Sequence, residues 1–194
     1  MREPRQPSLT RAMIAARFCD PVKDDLGAHK LRTPEEIAAT LDGMMLEHDE
    51  GDLWLFGYGS LMWNPELDFA ESRPALLNGW HRRFCLWQLR YRGSRAHPGL
   101  MLALDRGGSC RGVAYRIAAP GVREKVTAVW KREMTGNGYV PRWVRLTTMQ
   151  GPVRGLTFVA NIEGERYAGR ISDEVVADHI AHACGENGSC AEYL

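Results

Sequence analysis

The sequence predicts an α+β protein in which a mixed or mostly antiparallel, barrel-like sheet is flanked by a few helices. Two observations carry this. Strand-patterned segments outnumber helical ones between residues 53 and 162, and the two kinds do not alternate in the βαβ order that a doubly wound parallel sheet requires. A length of 194 residues suits one hydrophobic core and would cramp two. The expected division is therefore an N-terminal arm and helix over 1–51 and one main domain over 52–194.

Residues 1–31 are rich in proline and basic residues and lack sustained periodicity, so they read as an arm. Thr33-Pro34-Glu35-Glu36 is a helix start, with Thr33 as N-cap, Pro34 in the first turn and Glu36 completing a capping box. The helix should end near Leu46, before an acidic turn. Leu53 to Phe56 is a short apolar strand, and Trp80 to Tyr91 a long aromatic one. Leu100–Leu104 and Arg111–Ile117 flank Asp105-Arg106-Gly107-Gly108-Ser109, which reads as a hairpin with a longer loop. A helix follows from Val122 to Met134, then strands around Trp143–Thr148 and Leu156–Ile162. A last helix starts after the N-cap Ser172 and runs to about Cys184.

Composition narrows the function classes. The formal net charge of +1 gives no global attraction to nucleic acid or to an anionic membrane. No apolar run approaches the roughly 20 residues that span a bilayer. The N-terminal stretch is Arg-rich, but its apolar run is broken by Arg11 and Arg17, which does not suit a secretory leader. Five scattered cysteines do not form a secreted disulfide framework, so the cytoplasm is the expected location.

The helix Val122–Met134 carries the first candidate site residue. At about 100° per residue, Val122, Val126, Val129 and Trp130 share one arc, and Glu133 projects into its middle. A carboxylate in the centre of an apolar face is costly unless paired or protonated. Desolvation there raises its pKa and makes it a usable proton shuttle. The projection also fits a last-turn residue that bends outward or pairs with an arginine. The glycine-rich stop Thr135-Gly136-Asn137-Gly138 then sets Tyr139 a short distance beyond.

The second candidate is Phe56-Gly57-Tyr58-Gly59-Ser60-Leu61, at the end of the first strand. Two glycines around a tyrosine let a ligand approach the backbone closely, and successive amides in such a bend can form an anion-binding nest. Ser60 adds a hydroxyl that donates and accepts. The same residues also suit an ordinary strand-to-loop turn. The spacing is that of neither a P-loop nor a Rossmann fingerprint.

FGYGSLMWNP, the GWHRRFCLWQ strand, PGLMLAL, GGSCRGVAYRI, the KREMTGNGY helix end and the terminal AEYL, in this order, closely resemble the ChaC-type γ-glutamylcyclotransferases. The resemblance covers roughly residues 53–194. It implies the γ-glutamylcyclotransferase-like fold, a mixed α+β barrel, and cleavage of glutathione to 5-oxoproline and Cys-Gly with no cofactor and no metal. Carried over position by position, it makes Phe56, Gly57, Tyr58, Gly59, Ser60 and Leu61 the substrate-binding loop. It makes Glu133 the catalytic acid–base residue and Tyr139 a tyrosine beside it, with Tyr115 a further residue orienting the substrate. The implied partner is a small molecule, glutathione or another γ-glutamyl compound, with no nucleic acid and no membrane; the sequence does not specify the oligomeric state. Related chemistries are a cyclotransferase for γ-glutamyl amino acids or amines, and a silent relative that binds γ-glutamyl compounds, which the presence of Glu133 disfavours.

Three other signals carry less. His179 and His182 lie at i and i+3 near Cys184, with no fourth ligand in view, and read as a solvated helix face. Cys184 and Cys190 are close in sequence, but a reducing compartment keeps such a pair apart. The run from Trp80 to Arg92 interleaves arginines with aromatics as in a nucleic-acid-binding module, yet strand alternation and core packing explain it more simply.

Overall fold

The computed structural model describes residues 31–193, so the expected N-terminal arm lies outside the described residues except for its last position. In chain order the elements are helix α1 (Pro34–Met45), strand β1 (Leu53–Gly57), a 3-10 turn (Ser60–Met62), β2 (Glu71–Gln88), β3 (Gly99–Ile117), helix α2 (Val122–Met134), β4 (Tyr139–Thr148), β5 (Gly151–Ala160), helix α3 (Asp173–His182), the short β6 (Cys184–Gly185) and β7 (Gly188–Ser189), and a 3-10 turn (Cys190–Tyr193). Strands β1–β5 close a barrel in the order β1-β3-β2-β4-β5. The sheet is mixed, because β1 pairs antiparallel with β3 but parallel with β5, where Trp54 faces Gly155 and Leu55 faces Leu156.

The chain divides into two compact units. Among the described residues, one holds 31–86 and 102–169, the other 87–101 and 170–193. The first has a core of Phe56, Tyr58, Ala75, Leu77, Leu104, Cys110, Ala114, Leu146 and Val159. Helix α1 begins as the sequence predicts: Thr33 Oγ1 accepts from the Glu36 amide at 3.2 Å, and Glu36 Oε2 accepts from the Thr33 amide at 2.9 Å. It is tied to α2 by Trp130, whose Nε1 donates to Thr40 Oγ1 at 2.8 Å while its ring meets Phe158 edge-on, 5.3 Å between centroids. In the second unit, Ser172 caps α3 and His179 Nδ1 lies 2.8 Å from the Pro98 carbonyl with its ring against Trp87. Cys190 there is a free buried thiol that donates to the Leu100 carbonyl at 3.3 Å, so it forms no bridge to Cys184.

The strands depart most from the sequence expectation in two places, besides shifts of two to five residues at the ends of β2, β4 and β5. The segment Asp105–Ser109 is no hairpin loop, because β3 runs through it without a break. Gly107 and Gly108 adopt φ of +100° and +64°, which bends a strand in the manner of a glycine bulge while leaving its direction unchanged. Strand β2 starts at Glu71, nine residues before the expected Trp80. Its first half contains Pro74, Asn78 and Gly79, residues that weaken any strand signal, and Ala75 to Leu77 are held by pairing to Thr148–Leu146 of β4. Among the described residues no helix is long and apolar enough to cross a membrane.

Candidate active site

Every candidate site residue belongs to the unit formed by the described residues 31–86 and 102–169. The buried stripe of α2 is Val122, Val126, Val129, Trp130 and Met134, as the projection requires. Glu133 accompanies it, its side chain only 14% exposed. The end of this helix is fixed from α1's side: Arg32 donates through Nη1 to the Met134 carbonyl at 2.9 Å and to the Gly136 carbonyl, and its amide donates to Thr135 O at 2.9 Å. These are carbonyls that a helix C-terminus leaves without intrahelical partners, so the turn bearing Glu133 is anchored.

Burial pushes the Glu133 carboxyl above its ordinary value; the neighbouring Arg132 guanidinium pulls it back, and Glu66 adds to the rise. The desolvation contribution is the largest, so the acid holds its proton more readily than an exposed glutamate.

The loop after β1 is built by close approach. A Cβ on Gly57 would lie 3.0 Å from Leu61 Cβ and 3.2 Å from the Leu61 carbonyl carbon. Glycine there lets the chain fold back without crowding, so that Leu61 covers the strand end. Across the sheet, a Cβ on Gly112 would lie 2.3 Å from the Gly57 carbonyl oxygen and 2.6 Å from the Phe56 ring. The bend continues into the 3-10 turn at Ser60, with Met62 N donating to Gly59 O at 2.8 Å and Asn64 N to Ser60 O at 2.8 Å. The opening amides of such a turn have no carbonyl within it to bond, which leaves them able to face an anionic oxygen.

The tyrosines brace this loop. Tyr115 shares its hydroxyl between the carbonyls of Leu61 at 3.0 Å and Met62 at 3.1 Å, and burial raises its pKa. Tyr58 points into the core and donates to the Phe158 carbonyl at 2.8 Å. Phe56 is fully buried, and its carbonyl accepts from Thr157 Oγ1 at 3.0 Å. Tyr139 opens β4 and donates to the Leu102 carbonyl at 3.1 Å. Phe56, Tyr58 and Tyr115 thus serve the loop's shape through core packing and backbone contacts, while Ser60 is the member of the motif connected to Glu133.

That connection runs through Arg132, the residue before the acid on α2. Arg132 Nη2 donates to Ser60 Oγ at 2.5 Å, and Arg132 Nε lies 3.3 Å from Glu133 Oε1. A single planar guanidinium therefore spans the acid and the loop. Arg82 also escaped the reading: its Nη1 donates to the Tyr58 carbonyl at 3.1 Å, from the strand whose arginines suggested nucleic acid. No sequence signal marks either role, because their partners lie 72 and 24 residues away. Among the described residues no group of three or more His, Cys, Asp or Glu is arranged to hold a metal ion.

A closed five-stranded mixed barrel flanked by helices is the γ-glutamylcyclotransferase-like fold. The structure superimposes on a crystal structure of a yeast γ-glutamyl cyclotransferase specific to glutathione with a TM-score of 0.65, at 21% identity, over 74% of this chain and 83% of that one. More narrowly, the chain belongs to the ChaC-like protein family, whose model matches residues 53–194. It is 39% identical to the glutathione-specific γ-glutamylcyclotransferase of Escherichia coli strain K12, over 96% of this chain and 81% of that protein. It is 31% identical to the human glutathione-specific γ-glutamylcyclotransferase 1, over 84% of this chain and 77% of the human protein.

Proposed function

We propose that this protein is a glutathione-specific γ-glutamylcyclotransferase with Glu133 as its acid–base residue. The observation that carries the reading is the mostly buried Glu133 carboxyl, joined through one guanidinium to Ser60 of the glycine-flanked loop. The names of its ChaC-like relatives support the substrate. The reading assigns the reaction to residues 52–194, gives 1–51 the place of an arm and helix, and locates the enzyme in the cytoplasm with its glutathione pool.

The chemistry asks little of the protein beyond a mould and a proton carrier. The glutamyl α-amine of glutathione attacks its own γ-carbonyl. A carbon–nitrogen bond closes the five-membered ring of 5-oxoproline, and the amide bond to cysteine breaks. Because the reaction is intramolecular, holding the curled conformer supplies much of the acceleration. Glu133 takes a proton from the α-ammonium so that the nitrogen becomes nucleophilic, then delivers a proton to the departing nitrogen of Cys-Gly. A raised pKa suits both steps, since a carboxylate of ordinary acidity is a poor acceptor from an ammonium. The amides at Gly57, Tyr58, Gly59 and Ser60, with the Ser60 hydroxyl, hold the substrate carboxylate or the developing oxyanion. Leu61 closes the bend, and Tyr115 and Tyr139 keep its surroundings in place.

The test is incubation of the purified protein with glutathione, γ-glutamyl-alanine and γ-glutamyl-lysine isopeptide, measuring 5-oxoproline and the released amine together. Equimolar 5-oxoproline and Cys-Gly from glutathione alone is the expected result. Turnover of the isopeptide instead would move the assignment to γ-glutamyl amines, and folded protein that releases neither product from any substrate would end it.

A further inference from the structure

We propose that Arg132 is a positioning residue of this site, one guanidinium that fixes the glycine-flanked loop and Glu133 relative to each other, with Glu66 as its counterweight. This rests on the cyclotransferase reading given above and assigns a role to two residues outside the motif.

The geometry is specific. Over seven residues the loop presents three different groups to the same side chain: the Ser60 hydroxyl at 2.5 Å, the Asn64 carbonyl at 2.9 Å and the Glu66 carboxylate at 3.5 Å. The fourth contact is Glu133 at 3.3 Å. A guanidinium has five N–H donors in a rigid fork, so Arg132 has little left with which to bind a substrate anion. Its role is to hold other groups. Glu66 is itself held, accepting from Asn64 Nδ2 at 3.0 Å, and it sits at φ +50°, a left-handed conformation unfavourable for a glutamate. A surface residue in that conformation, turned toward an arginine that touches the acid, indicates that the local backbone is shaped around the contact.

The consequence is electrostatic as well as mechanical. The charged groups acting on Glu133 are Arg132 on its own helix and Glu66 on the loop, and they act in opposite directions. Removing the arginine makes the acid hold its proton to higher pH, and removing the Glu66 charge makes it release the proton at lower pH. A purely structural arginine would lower activity equally at every pH.

The experiment compares kcat and kcat/KM for glutathione across pH in the wild type, Arg132→Gln, Arg132→Lys and Glu66→Gln. Alongside it, a carboxyl carbon-13 NMR titration follows Glu133, with its resonance assigned by its loss in Glu133→Gln. In Arg132→Gln the acid limb of kcat/KM moves to higher pH and kcat falls on the order of tenfold or more, since a loop displaced by about 1 Å costs up to a hundredfold. Arg132→Lys returns the limb toward its original place but leaves kcat low, because an ammonium lacks the fork. Glu66→Gln moves the limb to lower pH. Limbs that stay at the wild-type position in both Gln variants overturn the proposal. If Arg132→Gln does not fold, an unmoved limb in Glu66→Gln overturns it alone. If the wild type releases no 5-oxoproline, the cyclotransferase reading fails by itself. The NMR midpoints of Glu133 then decide the positioning role, opposite displacements sustaining it and coincident midpoints overturning it.

Discussion

Replacing Glu133 by glutamine removes a charge and a proton carrier while keeping the side chain's shape, so activity and stability should move in opposite directions. Positioned acid–base catalysis is worth about 10²- to 10⁴-fold, and the variant should lose that much in kcat with glutathione. The stability effect follows from burial. The Glu133 side chain is 14% exposed, and desolvation lifts its pKa above the ordinary 4.5. An acid whose folded pKa exceeds its unfolded one binds more protons when folded. It therefore costs nothing at low pH, and stability drains away as pH rises from the unfolded value through the folded one. Above both, the full penalty of about 1.4 kcal/mol per unit of displacement is present. Losing the contact with Arg132 acts the other way, but a partly exposed pair is worth only about 0–1 kcal/mol. Glutamine should thus leave the melting temperature near pH 4 unchanged and raise it near pH 8. For a chain of this size the scale is about 2–4 °C per kcal/mol. Calorimetry at a series of pH values, beside 5-oxoproline release, measures both. A glutamine variant with turnover within a few-fold of wild type, or one that melts lower than wild type near pH 8, would refute the assignment of Glu133 as a desolvated catalytic acid.

Tyr115→Phe keeps the ring against Phe69, whose centroid is 4.9 Å away, but frees the Leu61 and Met62 carbonyls. It should cost about 1 kcal/mol in denaturant unfolding and raise KM more than it lowers kcat. Gly57→Ala forces a methyl to within 3.0 Å of Leu61 Cβ; a destabilisation of about 1–3 kcal/mol should accompany a loss of glutathione turnover well beyond what the melting temperature explains. Asp105 is paired with Arg83 at 2.7 Å and accepts from Tyr167 at 3.0 Å. Asp105→Asn leaves that arginine without its carboxylate and should cost about 3 kcal/mol, while the shape of the pH–rate profile stays that of the wild type.

What the sequence made legible was local. The capping box at Thr33, the apolar arc of α2 and the place of Glu133 within it all follow from residues at most a few turns apart, where helical periodicity dictates geometry. The glycine-flanked bend was legible for the same reason, although the reason for Gly57 became plain only when Leu61 was seen folded back over it. The errors were of another kind. Asp105-Arg106-Gly107-Gly108-Ser109 has the composition of a turn, and its two glycines do take left-handed conformations. Whether such glycines reverse a chain or merely bend it depends on the strand beside them, and here Arg83 on β2 holds Asp105 in line. Residues 71–79 lacked a strand pattern because their order is imposed by β4. Arg132 was invisible as a site residue because helical periodicity says nothing about a loop 72 residues earlier.

On the proposed mechanism, the two charges near Glu133 would let a single acid serve both halves of the reaction. Burial alone would hold the proton too firmly, and a carboxyl that never ionises cannot relieve an ammonium of its proton. A tight bidentate arginine would do the opposite and leave a carboxylate too acidic to accept one. Arg132 stands between these limits. Its Nε lies 3.3 Å from Glu133 Oε1, while both of its terminal nitrogens are drawn toward Ser60, Asn64 and Glu66. On the proposed role of Arg132, the conformation of the glycine-flanked loop and the protonation of Glu133 are linked quantities. A ligand that pulls Ser60 away from the guanidinium must change the acidity of Glu133 in the same event.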